Sequence, residues 1–151
     1  MAEVKYKLLK DYVPPIYRQQ SVLLEFFLHP EKTILKSKIL FSHDNGIPTD
    51  LILQGENIQL SYLKIDGKKI GLDLLTFGKH TIVIPKIFLG PRDFQVEMEN
   101  ILNPSTNKTL EGLYLSDGIL VTQCEPEGFR KICYSLDRPD VLSTYTVRIH
   151  G

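Results

Sequence analysis

The sequence has 151 residues, of which 42% are hydrophobic, enough for one domain that buries about 68–70% of its unfolded surface. Its 18 basic and 18 acidic residues balance without a long run of like charge, which argues against a nucleic-acid partner. No stretch approaches the roughly 20 apolar residues of a membrane span, and residues 1–20 lack the apolar core of a signal peptide. We therefore expect a soluble, cytoplasmic protein that is not embedded in a membrane.

The first part of the chain predicts an irregular arm followed by a β-hairpin. The arm, Tyr6–Tyr17, contains Pro14 and Pro15, which remove backbone donors and disfavour regular structure. Apolar residues then alternate along Val22–Leu28 and again along Ile34–Phe41. Such alternation is typical of strands with one buried face.

Short β-rich runs continue to the end of the chain, separated by Gly, Pro, Asn or Asp. Asp44-Asn-Gly46 predicts a turn, and Asp66-Gly67 suits the positive φ angles of a two-residue hairpin. With no helical run of three turns, this spacing predicts a single all-β domain over residues 1–151, an antiparallel β-sandwich or saddle-shaped sheet. The last run, Tyr145–Ile149, has no antiparallel partner after it, so we expect a fold truncated at its C-terminal end with an exposed edge. The other predicted strands are Asp50–Leu53, Leu60–Ile65, Thr81–Ile84, Phe94–Met98, Gly112–Leu115 and Gly118–Val121.

A polar segment follows the run Gly118–Val121. Thr122-Gln-Cys-Glu-Pro-Glu-Gly128 and the nearby Arg130 bring an amide, two carboxylates, a thiol and a guanidinium together. Loops after strands are where a rigid sheet displays functional groups. On residue types alone, however, a solvated loop with ordinary salt bridges remains the favoured interpretation.

Read as a string, this segment resembles the aminopeptidase N family of zinc metallopeptidases, in its bacterial alanyl aminopeptidase form. Four ordered matches that span nearly the whole chain are much harder to obtain by chance than one short motif. The resemblance implies the N-terminal β domain of a larger aminopeptidase, whose catalytic zinc domain is absent from this chain. The matching strings are Lys10-Asp-Tyr-Val-Pro-Pro15, Asn107-Lys-Thr-Leu-Glu-Gly-Leu-Tyr114, Thr122-Gln-Cys-Glu-Pro-Glu-Gly-Phe-Arg-Lys-Ile132 and Leu136-Asp-Arg-Pro-Asp-Val141.

The resemblance also implies roles for individual residues. In the family, the Gln and the first Glu of this segment bind the free α-amino group of the peptide substrate, and by position these are Gln123 and Glu125. A protonated amine requires a negatively charged acceptor, and a charge-assisted hydrogen bond contributes about 1.5–3 kcal/mol. Glu127 and Arg130 match the family's second Glu and its Arg, and we interpret both as loop scaffold joined by an ion pair.

Two further features of the resembling strings bear on the loop. Pro126 stands where the family usually has a small residue, and it should stiffen the loop without removing the Glu125 carboxylate from the pocket. Asp137, Arg138 and Asp140 are interpreted as scaffold rather than as chemistry.

No metal site is predicted in this chain. The family's H-E-x-x-H motif, which holds zinc in a later domain, is missing here. Zinc is therefore expected as a cofactor only in the catalytic domain of the parent enzyme. Cys124 and Cys133 are predicted to be free thiols, with Cys124 directed into the core. All four histidines are predicted to be surface or turn residues: His29, His43, His80 and His150.

The sequence thus predicts a domain that supplies part of the substrate pocket of a zinc aminopeptidase but is inactive alone. Its expected partners are the N-terminus of a peptide substrate and the missing catalytic domain of the same polypeptide. One alternative is a stand-alone β-sandwich module that binds protein or peptide termini without catalysis. Another is a glycosidase-like acid/base pair of Glu125 and Glu127, which is less favoured because such carboxylates normally come from separate elements.

Overall fold

A long antiparallel hairpin forms the centre of the fold. The computed structural model describes residues 8–43 and 47–151, and in it β1 (Tyr17–Phe27) pairs with β2 (Thr33–His43). Buried and more exposed residues alternate along most of both strands. This confirms the strand faces predicted from the apolar alternation. The predicted turn at Asp44–Gly46 lies outside the described residues.

A six-stranded sheet is built around this hairpin. The additional strands are β4 (Gln59–Ile65), β5 (Lys68–Ile70), β8 (Phe94–Leu102) and β11 (Thr144–His150), in the order β11-β1-β2-β8-β4-β5. Neighbouring strands are antiparallel except β1 and β11, which are parallel. The strand predicted at Tyr145–Ile149 lies at one edge of the sheet with all its residues exposed, as expected, and its single partner in this sheet is the parallel β1. Parallel pairing needs a long crossover connection instead of a tight turn, so no local sequence signal marks it.

A smaller layer packs on one face of the large sheet. It contains a three-stranded sheet of β3 (Leu51–Gln54), β7 (Thr81–Ile84) and β6 (Thr76–Phe77). The apolar side chains of both sheets meet in one core cluster, which confirms the predicted all-β, sandwich-like architecture. Each such buried aliphatic or aromatic side chain contributes about 1.5–3 kcal/mol relative to exposure. Fully buried members from the two sheets include Leu35, Ile39, Phe41, Leu51, Leu53, Leu63, Ile82, Ile84, Val96 and Met98.

Two tight hairpins have the same turn chemistry. Asp66 and Gly67 have φ angles of 48° and 78°, and they join β4 to β5 as predicted. Asp117 and Gly118 have φ angles of 47° and 79°, and they join β9 (Gly112–Ser116) to β10 (Ile119–Gln123). Positive φ at both central residues matches the right-handed twist of the strands. The second hairpin places the polar segment Thr122–Gly128 at the end of β10.

Helical structure is confined to single 3-10 turns in the described residues. None of these helices has the length and apolar composition needed to cross a membrane. From residue 8 onward the predicted arm is irregular apart from one such turn, while its first two residues lie outside the described part of the chain. The turns are Leu9–Asp11, Leu72–Leu74, Lys86–Phe88, Pro104–Thr106 and Phe129–Lys131.

One histidine is not where the sequence analysis placed it. His43 is buried, because β2 continues for two residues beyond Phe41 and His43 is its last residue. There its ring packs edge-on against Tyr17, with ring centroids 5.5 Å apart. The prediction that all four histidines are surface or turn residues is therefore wrong for His43. The other three are exposed.

Candidate functional site

The polar segment forms a short loop that closes on itself directly after β10. The Gly128 N–H donates to the Cys124 carbonyl at 2.9 Å, and we refer to Cys124–Gly128 as the site loop. A Cβ atom at Gly128 would lie 2.7 Å from the Gln123 carbonyl oxygen and 2.9 Å from the Cys124 Cα. Only glycine allows the two ends of the site loop to approach so closely.

Gln123 is the last residue of β10, and Glu125 lies within the site loop. Both residues are exposed, and the Gln123 Nε2 donates to the main-chain carbonyl of Glu125 at 2.8 Å. This bond orients the amide, so that the Gln123 Oε1 is left as an acceptor. The Glu125 carboxylate makes no hydrogen bond or ion pair with the described residues. The Glu125–Pro126 peptide bond is cis.

Arg130 holds the far end of the site loop, chiefly through Asp137. The Arg130 main-chain N–H and Nε donate to Asp137 Oδ2 at 3.1 and 2.8 Å, and Nη2 donates to the Asp137 carbonyl at 3.0 Å. Arg130 and Asp137 side chains are 16% and 14% exposed, so water screens this ion pair weakly.

Glu127 lies at the edge of the same cluster. Its Oε1 is 3.5 Å from Arg130 Nη2, and its side chain is 57% exposed. An ion pair this open to water contributes little. The sequence predicts an ion pair between Arg130 and Glu127 and gives Asp137 only a general role as scaffold. The structure makes Asp137 the closer partner of Arg130.

The site loop is anchored to the three-stranded sheet through Gln54, the last residue of β3. Gln54 and Ser135 exchange main-chain hydrogen bonds of 2.8 and 3.1 Å. The Gln54 Oε1 accepts the Asp137 N–H at 3.0 Å, and the Arg130 carbonyl accepts the Glu56 N–H at 2.8 Å. Gln54 was not predicted from the sequence. No local pattern could have found it, because it lies 83 residues from Asp137.

Lys131 provides a second anchor beside Arg130. Its ammonium group donates to Glu111 and lies 3.6 Å from Glu56, and its side chain is only 11% exposed. The hydrogen bond to Glu111 raises the pKa of Lys131, despite an opposing effect of burial. Lys131 therefore stays charged and joins the turn after the site loop to the start of β9.

Arg138 and Asp140 fasten the N-terminal arm near the site. The Tyr12 hydroxyl and the Arg138 guanidinium both donate to Asp140, at 2.9 and 2.7 Å, while Arg138 Nη2 also donates to the Val13 carbonyl. The hydrogen bond from Arg138 lowers the pKa of Asp140 to about 2. These contacts join the segment after Asp137 to the N-terminal arm.

The two cysteines are free thiols, as predicted. Cys124 packs against the core, and burial raises the pKa of its thiol, with smaller contributions from Asp137 and Glu125. Cys133 is fully buried, and burial raises its pKa to about 12. A nucleophilic cysteine needs its thiolate, which both sites disfavour. The raised pKa values therefore favour the neutral thiol at both cysteines.

Comparison with known proteins decides the family. A family model described as the peptidase M1 N-terminal domain matches residues 41–151. The chain is also 38% identical over 145 residues to the aminopeptidase N of Caulobacter vibrioides, a match that covers 95% of this chain and 16% of the relative. The chain belongs to the M1 peptidase family. The matching part is the N-terminal domain of that family.

Solved structures of M1 peptidases have the same fold. Aminopeptidase A of Legionella pneumophila, in complex with aspartic acid, superposes with a TM-score of 0.82 at 29% identity, over 95% of this chain and 17% of that one. The M1 zinc metallopeptidase of Deinococcus radiodurans gives a TM-score of 0.70 at 14% identity, over 88% and 32% of the two chains. The second likeness concerns the fold alone. The M1 domain described here spans about one sixth of the length of its curated relatives.

The described part of this M1 domain does not fit a zinc ion. Residues 8–43 and 47–151 contain no group of three or more His, Cys, Asp or Glu side chains placed to hold a metal. A zinc site in proteins needs at least three such ligands around the ion.

Proposed function

We propose that this M1 N-terminal domain is part of an aminopeptidase, in which the site loop recognises the free α-amino group of a peptide substrate. Membership of the M1 family and the identity to aminopeptidase N sequences support an aminopeptidase as the parent protein. Zinc, which acts as a Lewis acid in such enzymes, would be held by a separate catalytic domain of the same polypeptide.

The hydrogen bond between Gln123 and the Glu125 carbonyl is the observation that carries the proposal. At 2.8 Å it engages one N–H of the Gln123 amide and turns that nitrogen towards the Glu125 carbonyl, so the Gln123 Oε1 is available as an acceptor. The neighbouring Glu125 adds a carboxylate that the described residues leave uncompensated. An α-ammonium group carries three donors and one positive charge, and it matches this pair of acceptors.

A recognition site for the substrate terminus also accounts for the proposed exopeptidase action. In an extended peptide the α-ammonium group lies at one end, and an ionic acceptor fixes that end relative to the scissile carbonyl. A residue inside a longer chain has a neutral amide nitrogen at the same place and cannot form the ionic bond. Peptides that extend beyond this α-amino position should therefore be excluded from the site.

The proposal is tested by replacing Glu125 with Gln in the longer polypeptide that contains this domain. Losing one charge-assisted bond of about 1.5–3 kcal/mol should lower kcat/KM for aminoacyl substrates about 10- to 150-fold. Glu31→Gln is a matched control, since Glu31 is exposed and lies in the connection between β1 and β2, outside the site loop. Equal kcat/KM values for Glu125→Gln and wild type would refute the proposed site.

A further inference from the structure

The site loop is held in place by a series of contacts with residues outside the loop. Gln54, on β3, contacts Asp137, and Asp137 in turn contacts Arg130, which lies two residues after the loop. We propose that Gln54 is a positioning residue for amine recognition: it sets the geometry of the site loop through Asp137 and Arg130. This inference rests on the proposed function of Gln123 and Glu125.

The first step is the contact between Gln54 and Asp137. The Gln54 main chain is fixed by its exchange of hydrogen bonds with Ser135, so its side chain starts from a rigid position on the sheet. The Gln54 Oε1 accepts the Asp137 N–H at 3.0 Å. Without this acceptor the partly buried Asp137 N–H has no partner among the described residues, and an unpaired donor of this kind is unfavourable.

The second step is the contact between Asp137 and Arg130. Asp137 accepts three hydrogen bonds from Arg130, at 2.8, 3.0 and 3.1 Å. One of these donors is the Arg130 main-chain N–H, so a shift of Asp137 moves the backbone of Arg130 as well as its side chain. Two bonds to a planar guanidinium also fix orientation, not only distance.

The third step joins Arg130 to the recognition groups. Arg130 follows the site loop after Gly128, which is bonded to the Cys124 carbonyl and lies against the Gln123 carbonyl. The Glu125 side chain has no bond of its own to the described residues. Its position therefore depends on the two ends of the loop. β10 holds one end, and the contacts from Gln54 through Asp137 to Arg130 hold the other.

Gln54→Leu tests the inference, because leucine has a similar size and lacks the acceptor. Gln95→Leu is the matched control: Gln95 is also half-buried on a strand, and its side chain bonds to Glu97, away from the loop. In ¹⁵N NMR spectra of the chain, Gln54→Leu should shift the Glu125 amide and the Gln123 side-chain amide, whereas Gln95→Leu should shift neither. Unmoved Gln123 and Glu125 resonances in Gln54→Leu would overturn the inference.

Kinetics of the longer polypeptide separate this inference from the proposed function. Gln54→Leu should lower kcat/KM for a substrate with a free α-amino group about 10-fold, as expected of a small misplacement. Binding of a competitive inhibitor without an amino group should stay unchanged, which a general loss of folding would not allow. If Glu125→Gln lowers kcat/KM and Gln54→Leu does not, the positioning role is refuted while the proposed function stands. If Glu125→Gln has no effect, the proposed function fails, and the NMR shifts alone decide whether Gln54 holds the loop.

Discussion

Gly128→Ala adds a single methyl group at the point where the site loop closes on itself. Gly128 has φ −95° and ψ −17°, a conformation that alanine adopts without strain. In the unfolded chain, alanine has fewer conformations than glycine, which alone would stabilise the fold by about 0.4–1 kcal/mol. The sign of the effect therefore depends on whether the native loop has room for a methyl group.

The structure leaves no such room. The added Cβ would be 2.7 Å from the Gln123 carbonyl oxygen and 2.9 Å from the Cys124 Cα. Both are backbone atoms that cannot rotate away, so one side of the loop must move by about 0.7 Å to restore an ordinary van der Waals distance of 3.4 Å. Overpacking of this kind costs about 1–3 kcal/mol. The net expectation is a destabilisation of about 1–2 kcal/mol.

Urea denaturation followed by circular dichroism measures this change. Gly128→Ala should lower the urea midpoint at an unchanged m-value, and the melting temperature should fall by about 2–8 °C. Gly90→Ala is the control, because a Cβ at Gly90 would meet no atom within 4 Å. It should be neutral or slightly stabilising. If Gly128→Ala is as stable as Gly90→Ala, the tight closure of the site loop is refuted.

Three further predictions concern the scaffold. Asn100 is fully buried and its side-chain amide has no partner among the described residues, so Asn100→Leu should raise the free energy of unfolding by about 1–3 kcal/mol; a fall would show that the amide is satisfied. Because Arg138 lowers the pKa of folded Asp140 to about 2, its contribution should be complete above the unfolded pKa of about 3.9 and lost as the pH falls towards 2. The urea midpoints of wild type and Asp140→Asn should therefore differ at pH 6 and converge near pH 2; a constant gap would contradict this. Burial raises the pKa of Cys133 to about 12, so at pH 8 a thiol reagent should label it only after denaturation, and rapid labelling of the native protein would contradict its burial.

The strands were predictable because their faces alternate in the sequence. In β2, the apolar residues Leu35, Ile39 and Phe41 share one face and alternate with Lys36 and Lys38, and all three are fully buried in the structure. The parallel pairing of β11 was not predictable, since it connects residues more than 100 positions apart without a turn signal. The burial of His43 also escaped prediction, because it depends on where β2 ends and not on any local pattern.

The candidate site was predictable only in part. The residue types of the site loop alone favoured an ordinary solvated loop, and the roles of Gln123 and Glu125 came from the resemblance of whole strings to a family. The family itself is confirmed by the match to the M1 N-terminal domain. The support of the loop by Gln54 and Asp137 needed the structure, because the two residues are neighbours only after β3 and the segment around Ser135 pair.

Amine recognition by Glu125 is tested most directly by comparing two inhibitors of the longer polypeptide that differ only in a free α-amino group. Wild type should bind the amino inhibitor more tightly than the desamino one. In Glu125→Gln this preference should shrink about 10- to 150-fold, while the affinity for the desamino inhibitor stays constant. A preference for the amino inhibitor that survives unchanged in Glu125→Gln would contradict the account and place amine recognition elsewhere in the protein.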